Sequence, residues 1–223
     1  MKRSEVDGYI AAAAAFFAGQ GFLLPPFARW SPEEWGRLGS EGDGLRVQRL
    51  GWDVTDFHSG RFESVGLTLF TLRNGLGAGG RETKPYAEKV MMVREGQVTP
   101  LHHHRRKTED IINRGGAGRL VVQVYNSAAE GLAAGPVVLA CDGMERRVEA
   151  GGTVVLCAGE SVTLTPGVFH TFHAVEGVCM VGEVSSVNDD DTDNYFLEAM
   201  PRYAEIVEDV PARYRLCTEY GQA

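Results

Sequence analysis

The sequence predicts a mainly β fold: one barrel domain with helices ahead of it and a short helix behind. Three observations predict it. From about Gly44 onward, short β-rich segments recur between Gly, Asp and Asn clusters, with no helical pattern alternating between them. No internal repeat, low-complexity tract or linker divides the 223 residues, a length that suits one generous domain. Five of the six histidines fall in two tight clusters on predicted strands, where a barrel interior can gather them. The expected layout is a helical extension over residues 1–43, a barrel over 44–190, and a C-terminal helix and tail over 191–223.

Residues 4–18 are rich in helix formers, with Ser4 as N-cap and Asp7 three positions on. Gly19 and Gly21 stop that helix, and Pro25-Pro26 impose an extended link. Ser31-Pro32-Glu33-Glu34 opens a second short helix: a capping serine, proline in the first turn, and acids that suit the helix dipole. Strands are expected over 65–72, 89–93, 97–104, 119–125, 137–139, 153–156, 161–165 and 178–184. Residues 193–203 read as helical, with Pro211 beyond them.

Composition excludes several classes. A net charge of −8 without a basic patch argues against a nucleic-acid partner. The apolar run at 9–17 is too short to span a bilayer and is flanked by Glu5 and Asp7, so no membrane segment or signal peptide is expected. None of the four cysteines forms a C-x-x-C pair. Cys157 and Cys179 lie in apolar runs and read as buried thiols, and the chain reads as a cytoplasmic protein with reduced cysteines.

The clusters are His102-His103-His104 and His170 with His173. On a strand, residues two apart share a face, so His102 and His104 point together while His103 points away. Glu109 follows after Arg105-Arg106-Lys107-Thr108, a cationic stretch read as a solvated turn that returns Glu109 to the same interior. Pro166-Gly167 turns into a further strand that carries His170. Three imidazoles and a carboxylate then surround one divalent metal and leave coordination positions open, as a catalytic site requires. His58 and His173 read as ordinary residues.

The spacing Gly96-x5-His102-x-His104-x4-Glu109-x6-Gly116 matches the first cupin motif at every fixed position. Gly159, Pro166, Gly167 and His170 resemble the second, departing from it where Pro166 directly precedes Gly167 and at Ala174. The resemblance implies a cupin (double-stranded β-helix, jelly-roll) barrel. Four further stretches resemble the D-lyxose isomerase family of cupin sugar isomerases. They are Trp52-Asp53-Val54-Thr55-Asp56-Phe57, Tyr86-Ala87-Glu88-Lys89, Glu109-Asp110-Ile111-Ile112-Asn113-Arg114-Gly115-Gly116, and Gly182-Glu183-Val184-Ser185-Ser186-Val187-Asn188-Asp189-Asp190. That resemblance implies isomerisation of D-lyxose to D-xylulose, and of D-mannose to D-fructose, with Mn²⁺ preferred and a homodimeric assembly.

The residues themselves suit such chemistry. Three His and one Glu would accept Mn²⁺, Fe²⁺, Co²⁺, Ni²⁺ or Zn²⁺, and the choice of manganese rests on the resemblance. Glu183 and Lys89 sit on the apolar faces of their strands, where a charge is costly unless paired or functional. Glu183 is the candidate general base and Lys89 the candidate proton donor or oxyanion stabiliser; a plain pairing of the two is the alternative. Glu109 is a further candidate proton shuttle. Asp190 and Asp193 are candidates for binding sugar hydroxyls. Two rival functions share this metal site: a cupin Fe- or Ni-dependent oxygenase, and a non-catalytic metal-dependent sugar-binding protein.

Overall fold

The structure, a computed structural model, describes residues 1–76 and 84–220. Helix α1 (Arg3–Gly19) buries Val6, Ile10, Ala13 and Phe17, one stripe at helical spacing. Its N-cap is Lys2, whose backbone N–H donates to Glu5; Ser4, the expected cap, instead bonds Asp209 near the C-terminus. Helix α2 (Pro32–Gly36) carries the predicted N-cap serine, Ser31 accepting from the Glu34 N–H, and Glu34 completes a capping box by accepting from the Ser31 N–H. A short helix α3 (Asp43–Val47) completes the extension.

The strands are β1 (Gly51–Thr55), β2 (Leu67–Arg73), β3 (Tyr86–Val93), β4 (His102–His104), β5 (Glu109–Gly116), β6 (Arg119–Asn126) and β7 (Val137–Cys141). Then come β8 (Met144–Val148), β9 (Thr153–Leu156), β10 (Ser161–Leu164), β11 (Val168–Val175), β12 (Cys179–Ser186) and β13 (Asn194–Phe196). They form two antiparallel sheets, ordered β1-β2-β3-β12-β5-β10-β7-β8 and β13-β4-β11-β6-β9. The main core lies between the sheets and includes Met91, Ile111, Leu120, Val122, Leu164, Phe172 and Val181. A second core seals α1 against the outer face of the larger sheet through Trp52, Val54, Phe70, Val90 and Met180. This explains why β1 is buried on both faces: Trp52 and Val54 meet the helix, while Asp53 and Thr55 point into the barrel.

Three expectations need correction. The stretch 193–203 is not helical: Asn194–Phe196 adds a strand to the smaller sheet, pairing with His104, His103 and His102. The barrel therefore crosses the expected boundary at 190. Among the described residues the last regular element is a single 3₁₀ turn, Cys217–Glu219. The strand expected over 97–104 contracts to its last three residues. Pro100 cannot donate to a ladder, and the Gln97 backbone N–H donates to the Arg94 carbonyl at 3.2 Å, closing a turn instead of a ladder. Finally, Cys157 is exposed, while Cys141, Cys179 and Cys217 are buried free thiols.

Candidate active site

Strand β4 lies between β11 and β13, and the register sets His170 directly opposite His102. His102, His104 and His170 share the inward face, and each offers a ligand atom within 4.8 Å of the others. His103 turns outward against Phe169 and Tyr195. The two histidine segments are stitched together at Gly167 (φ +82°), whose N–H donates to the His104 carbonyl at 2.9 Å. His102 Nδ1 lies 2.8 Å from the Pro100 carbonyl and His170 Nδ1 lies 3.0 Å from the Val168 carbonyl. A carbonyl only accepts, so both Nδ1 atoms carry the proton and both Nε2 atoms present lone pairs to the barrel. Burial first, and then the neighbouring imidazoles, hold His102 well below the usual histidine pKa.

Glu109 opens β5 in the opposite sheet. Its Oε1 stands 3.0 Å from His170 Nε2 and 3.3 Å from His104 Nε2. Yet Glu109 Oε1 and His170 Nε2 are buried without a hydrogen bond. Lone pairs that converge this closely repel one another unless a cation lies between them, so the donor set fits a divalent metal held by three imidazoles and one carboxylate.

Next to it runs a chain of alternating buried charges. Lys107 Nζ lies 2.7 Å from Glu109 Oε2 and 2.8 Å from Glu183 Oε1. Lys89 Nζ lies 3.3 Å from the same Glu183 oxygen and donates to Asn188 Oδ1 at 2.6 Å. Asn188 in turn donates to Asp190 at 2.9 Å. Arg202 completes the run, 3.7 Å from Asp190 and 2.8 Å from Asp53. Burial disfavours the charged forms; opposite charges outweigh it at Glu183, Lys107 and Asp190, whereas at Asp53 burial prevails over Arg202 and raises the pKa. Glu183 is lowered in pKa because Lys107 and Lys89 overcome its desolvation, and Lys107 is raised because Glu109 and Glu183 overcome its own. Asp190, which is part-buried, is lowered because Lys89 and Arg202 outweigh its desolvation.

Apart from Asn188 and Asp53, which stand behind it, these groups line one cavity of about 470 Å³, its open mouth included. Asp190 lines it. Asp193 does not: its carboxylate accepts from the backbone N–H of Arg106 at 2.8 Å and of Lys107 at 3.0 Å, holding the β4–β5 turn. That turn corrects a sequence expectation. Arg105 and Arg106 are solvated, but Lys107 is buried at 3% exposure.

Residues 1–220 match the family model described as D-lyxose isomerase. The chain belongs to the D-lyxose isomerase family. It is 47% identical over 226 residues to the D-lyxose/D-mannose isomerase of Escherichia coli O157:H7, covering 100% of this chain and 99% of that one. It is equally 47% identical, over 224 residues, to the D-lyxose/D-mannose isomerase of Serratia proteamaculans, covering 99% and 98%. The fold resembles the solved L-ribose isomerase of Acinetobacter sp. DL28 in complex with L-ribose, with a TM-score of 0.58 and 17% identity over 89% of this chain and 93% of that one.

Within this member of the D-lyxose isomerase family, sequence reasoning missed Lys107, Arg202 and Asp53. A signal for Lys107 was present. Inward positions on β5 are Glu109, Ile111 and Asn113, and the same period of two, run backward, reaches Lys107. Asp53 sits in a stretch that carried the family resemblance, with Trp52 and Val54 as the alternating partners that face the helix. Arg202 had no local signal; it follows Pro201 in an irregular segment, and only the folded chain brings it to Asp53.

Proposed function

We propose that this chain is a D-lyxose ketol-isomerase that interconverts D-lyxose and D-xylulose, and D-mannose and D-fructose, by proton transfer through a cis-enediol. His102, His104, Glu109 and His170 hold one divalent metal, with Mn²⁺ preferred. When bound, that ion supplies a Lewis acid that acidifies the proton at C2 of the open-chain sugar. Glu183 removes the C2 proton and returns it to C1. All three donors to Glu183, from Lys107, Lys89 and Ser185, meet Oε1, which leaves Oε2 as the oxygen to carry the proton. The two ammonium groups keep Glu183 ionised and available; they also weaken it as a base, so the reaction depends on a strongly acidified C2–H. The O2 hydroxyl proton passes to O1, and Lys89 and Lys107 stabilise the charge that develops at both oxygens during that transfer. Asp190 and Arg202 bind sugar hydroxyls, and Asp193 acts indirectly, by holding the turn that carries Lys107.

The observation that carries this reading is Glu183, buried between two lysines and lining the same cavity as three convergent imidazoles. An oxygenase would leave those charged pairs without a task, and a pure binding module would leave the cost of burying them unexplained. Consistent with a cytoplasmic protein, no helix among the described residues is long and apolar enough to cross a membrane. The homodimer rests on the family resemblance.

The test is a pair of variants. His104→Ala is expected to lose both bound metal and turnover. Glu183→Gln is expected to keep its metal while kcat falls by about 10²–10⁴-fold, the usual contribution of a general base. A Glu183→Gln protein with wild-type kcat removes Glu183 from this role.

A further inference from the structure

Thr55 ends β1 with no exposed surface, and its hydroxyl has two partners. It donates to the Arg202 carbonyl at 2.9 Å and accepts from the Phe57 N–H at 2.9 Å. Both partners line the cavity. Phe57 and His58 are consecutive non-glycine residues in the left-handed region, at φ +50° and +59°. Such a pair persists only where its surroundings dictate it. Asp56 holds the turn from one side, accepting from the His58 and Gly60 N–H groups at 3.1 and 3.2 Å. Thr55 holds it from the other.

Arg202 is gripped at two points by the inward face of one strand. Asp53 takes the guanidinium and Thr55, two residues on, takes the main-chain carbonyl. One guanidinium nitrogen, Nη1, is buried without a hydrogen-bond partner. The Arg202 guanidinium also sits 5.8 Å over the Phe57 ring, and Phe57 packs edge-on against Phe196. One hydroxyl therefore joins the two irregular segments that form this wall of the cavity.

We infer that Thr55 is a positioning residue for sugar recognition, acting through Arg202 and Phe57 without touching the substrate. This rests on the isomerase reading: the metal group takes the carbonyl end of the sugar, and the wall of Phe57 and Arg202 meets the hydroxyls further along. Without the Thr55 hydroxyl, two buried main-chain groups lose their partner and both segments relax. The expected signature is weaker sugar binding with intact chemistry.

The experiment compares Thr55→Val, Thr55→Ser, Arg202→Gln and the double variant Thr55→Val/Arg202→Gln. It reads kcat and KM for D-lyxose, metal content, thermal midpoint, and Kd for D-arabinitol, the reduced form of D-lyxose. Thr55→Val is expected to raise KM and Kd about tenfold, the effect of losing one or two hydrogen bonds. Its kcat and metal content should stay within about two-fold of wild type, and Thr55→Ser should restore binding. The double variant should bind better than the product of the two single losses predicts, because part of the Thr55 effect runs through Arg202 and part through Phe57. Unchanged KM and Kd in Thr55→Val, no recovery in Thr55→Ser, or multiplicative losses in the double variant would overturn the assignment. If Thr55→Val does not fold, Thr55→Ala deletes the same hydroxyl and carries the same test. Wild-type turnover tests the isomerase reading by itself; the ratios among variants, read also from D-arabinitol binding, test Thr55.

Discussion

Lys107 shows how a single side chain sets the electrostatics of the cavity. It separates Glu109 from Glu183, touching each within 2.8 Å. Replacing it with methionine keeps the volume and removes the charge, leaving Glu109 without its lysine and Glu183 with Lys89 alone. Lys107→Met is expected to cost about 3–5 kcal/mol of stability, as breaking a buried pair usually does. Denaturant unfolding measures that loss, and an unchanged midpoint would mean that water reaches the site freely. The cysteines offer a second check at this scale. Burial pushes the Cys179 thiol up to about 11, and Cys141 and Cys217 are raised for the same reason, whereas Cys157 is exposed. A thiol reagent at pH 8 is expected to modify one cysteine quickly in the folded protein and all four after unfolding. Sequence logic went wrong at both places for one reason. Lys107 was judged by its basic neighbours and Cys157 by its apolar ones, but side chains alternate across a β segment, so neighbours predict the wrong face.

At the scale of elements, α1 acts as the cover for the outer face of β1, β2, β3 and β12. Phe17, fully buried, stacks on Trp52 with ring centroids 6.3 Å apart. Phe17→Ala should destabilise the fold by about 3–5 kcal/mol. It should leave the KM for D-lyxose near wild type, since the sheet separates the helix from the cavity. Equilibrium unfolding together with steady-state kinetics checks both. The helix and most of the expected strands were legible because helix formers and short β-rich runs mark them locally, although the cap expected at Ser4 falls at Lys2. The tail was not. Residues 193–203 combine acids and helix formers in a way that imitates a helix start, while their conformation comes from pairing with β4 and from the anchoring of Arg202 by Asp53 and Thr55. Those are long-range contacts with no local trace.

For the whole molecule, the metal group matters as a tie between layers. Three imidazoles come from the smaller sheet and one carboxylate from the larger, so an ion held among them fastens the two faces of the barrel. Chelation should therefore lower the thermal midpoint. Restoring Mn²⁺ at about a hundred times its Kd should return about 2.7 kcal/mol, or roughly 5–10 °C for a chain of this size. Calorimetry with and without chelator reads it directly. The convergence of His102, His104 and His170 was legible in the sequence, because period-two geometry and the cupin motif point to the same three imidazoles. Of the alternating charges that run from Glu109 to Asp53, only the pairing of Lys89 with Glu183 was legible, because the run draws on five separate stretches of chain. The proposed proton transfer at Glu183 is where the site and the chemistry meet. Its most direct test is incubation of the purified chain with Mn²⁺ and D-lyxose in D₂O, without oxygen, followed by identification of the product. D-xylulose carrying solvent deuterium at C1 is the expected result; unchanged sugar, or D-xylulose with its migrating hydrogen fully retained from the substrate, would contradict it.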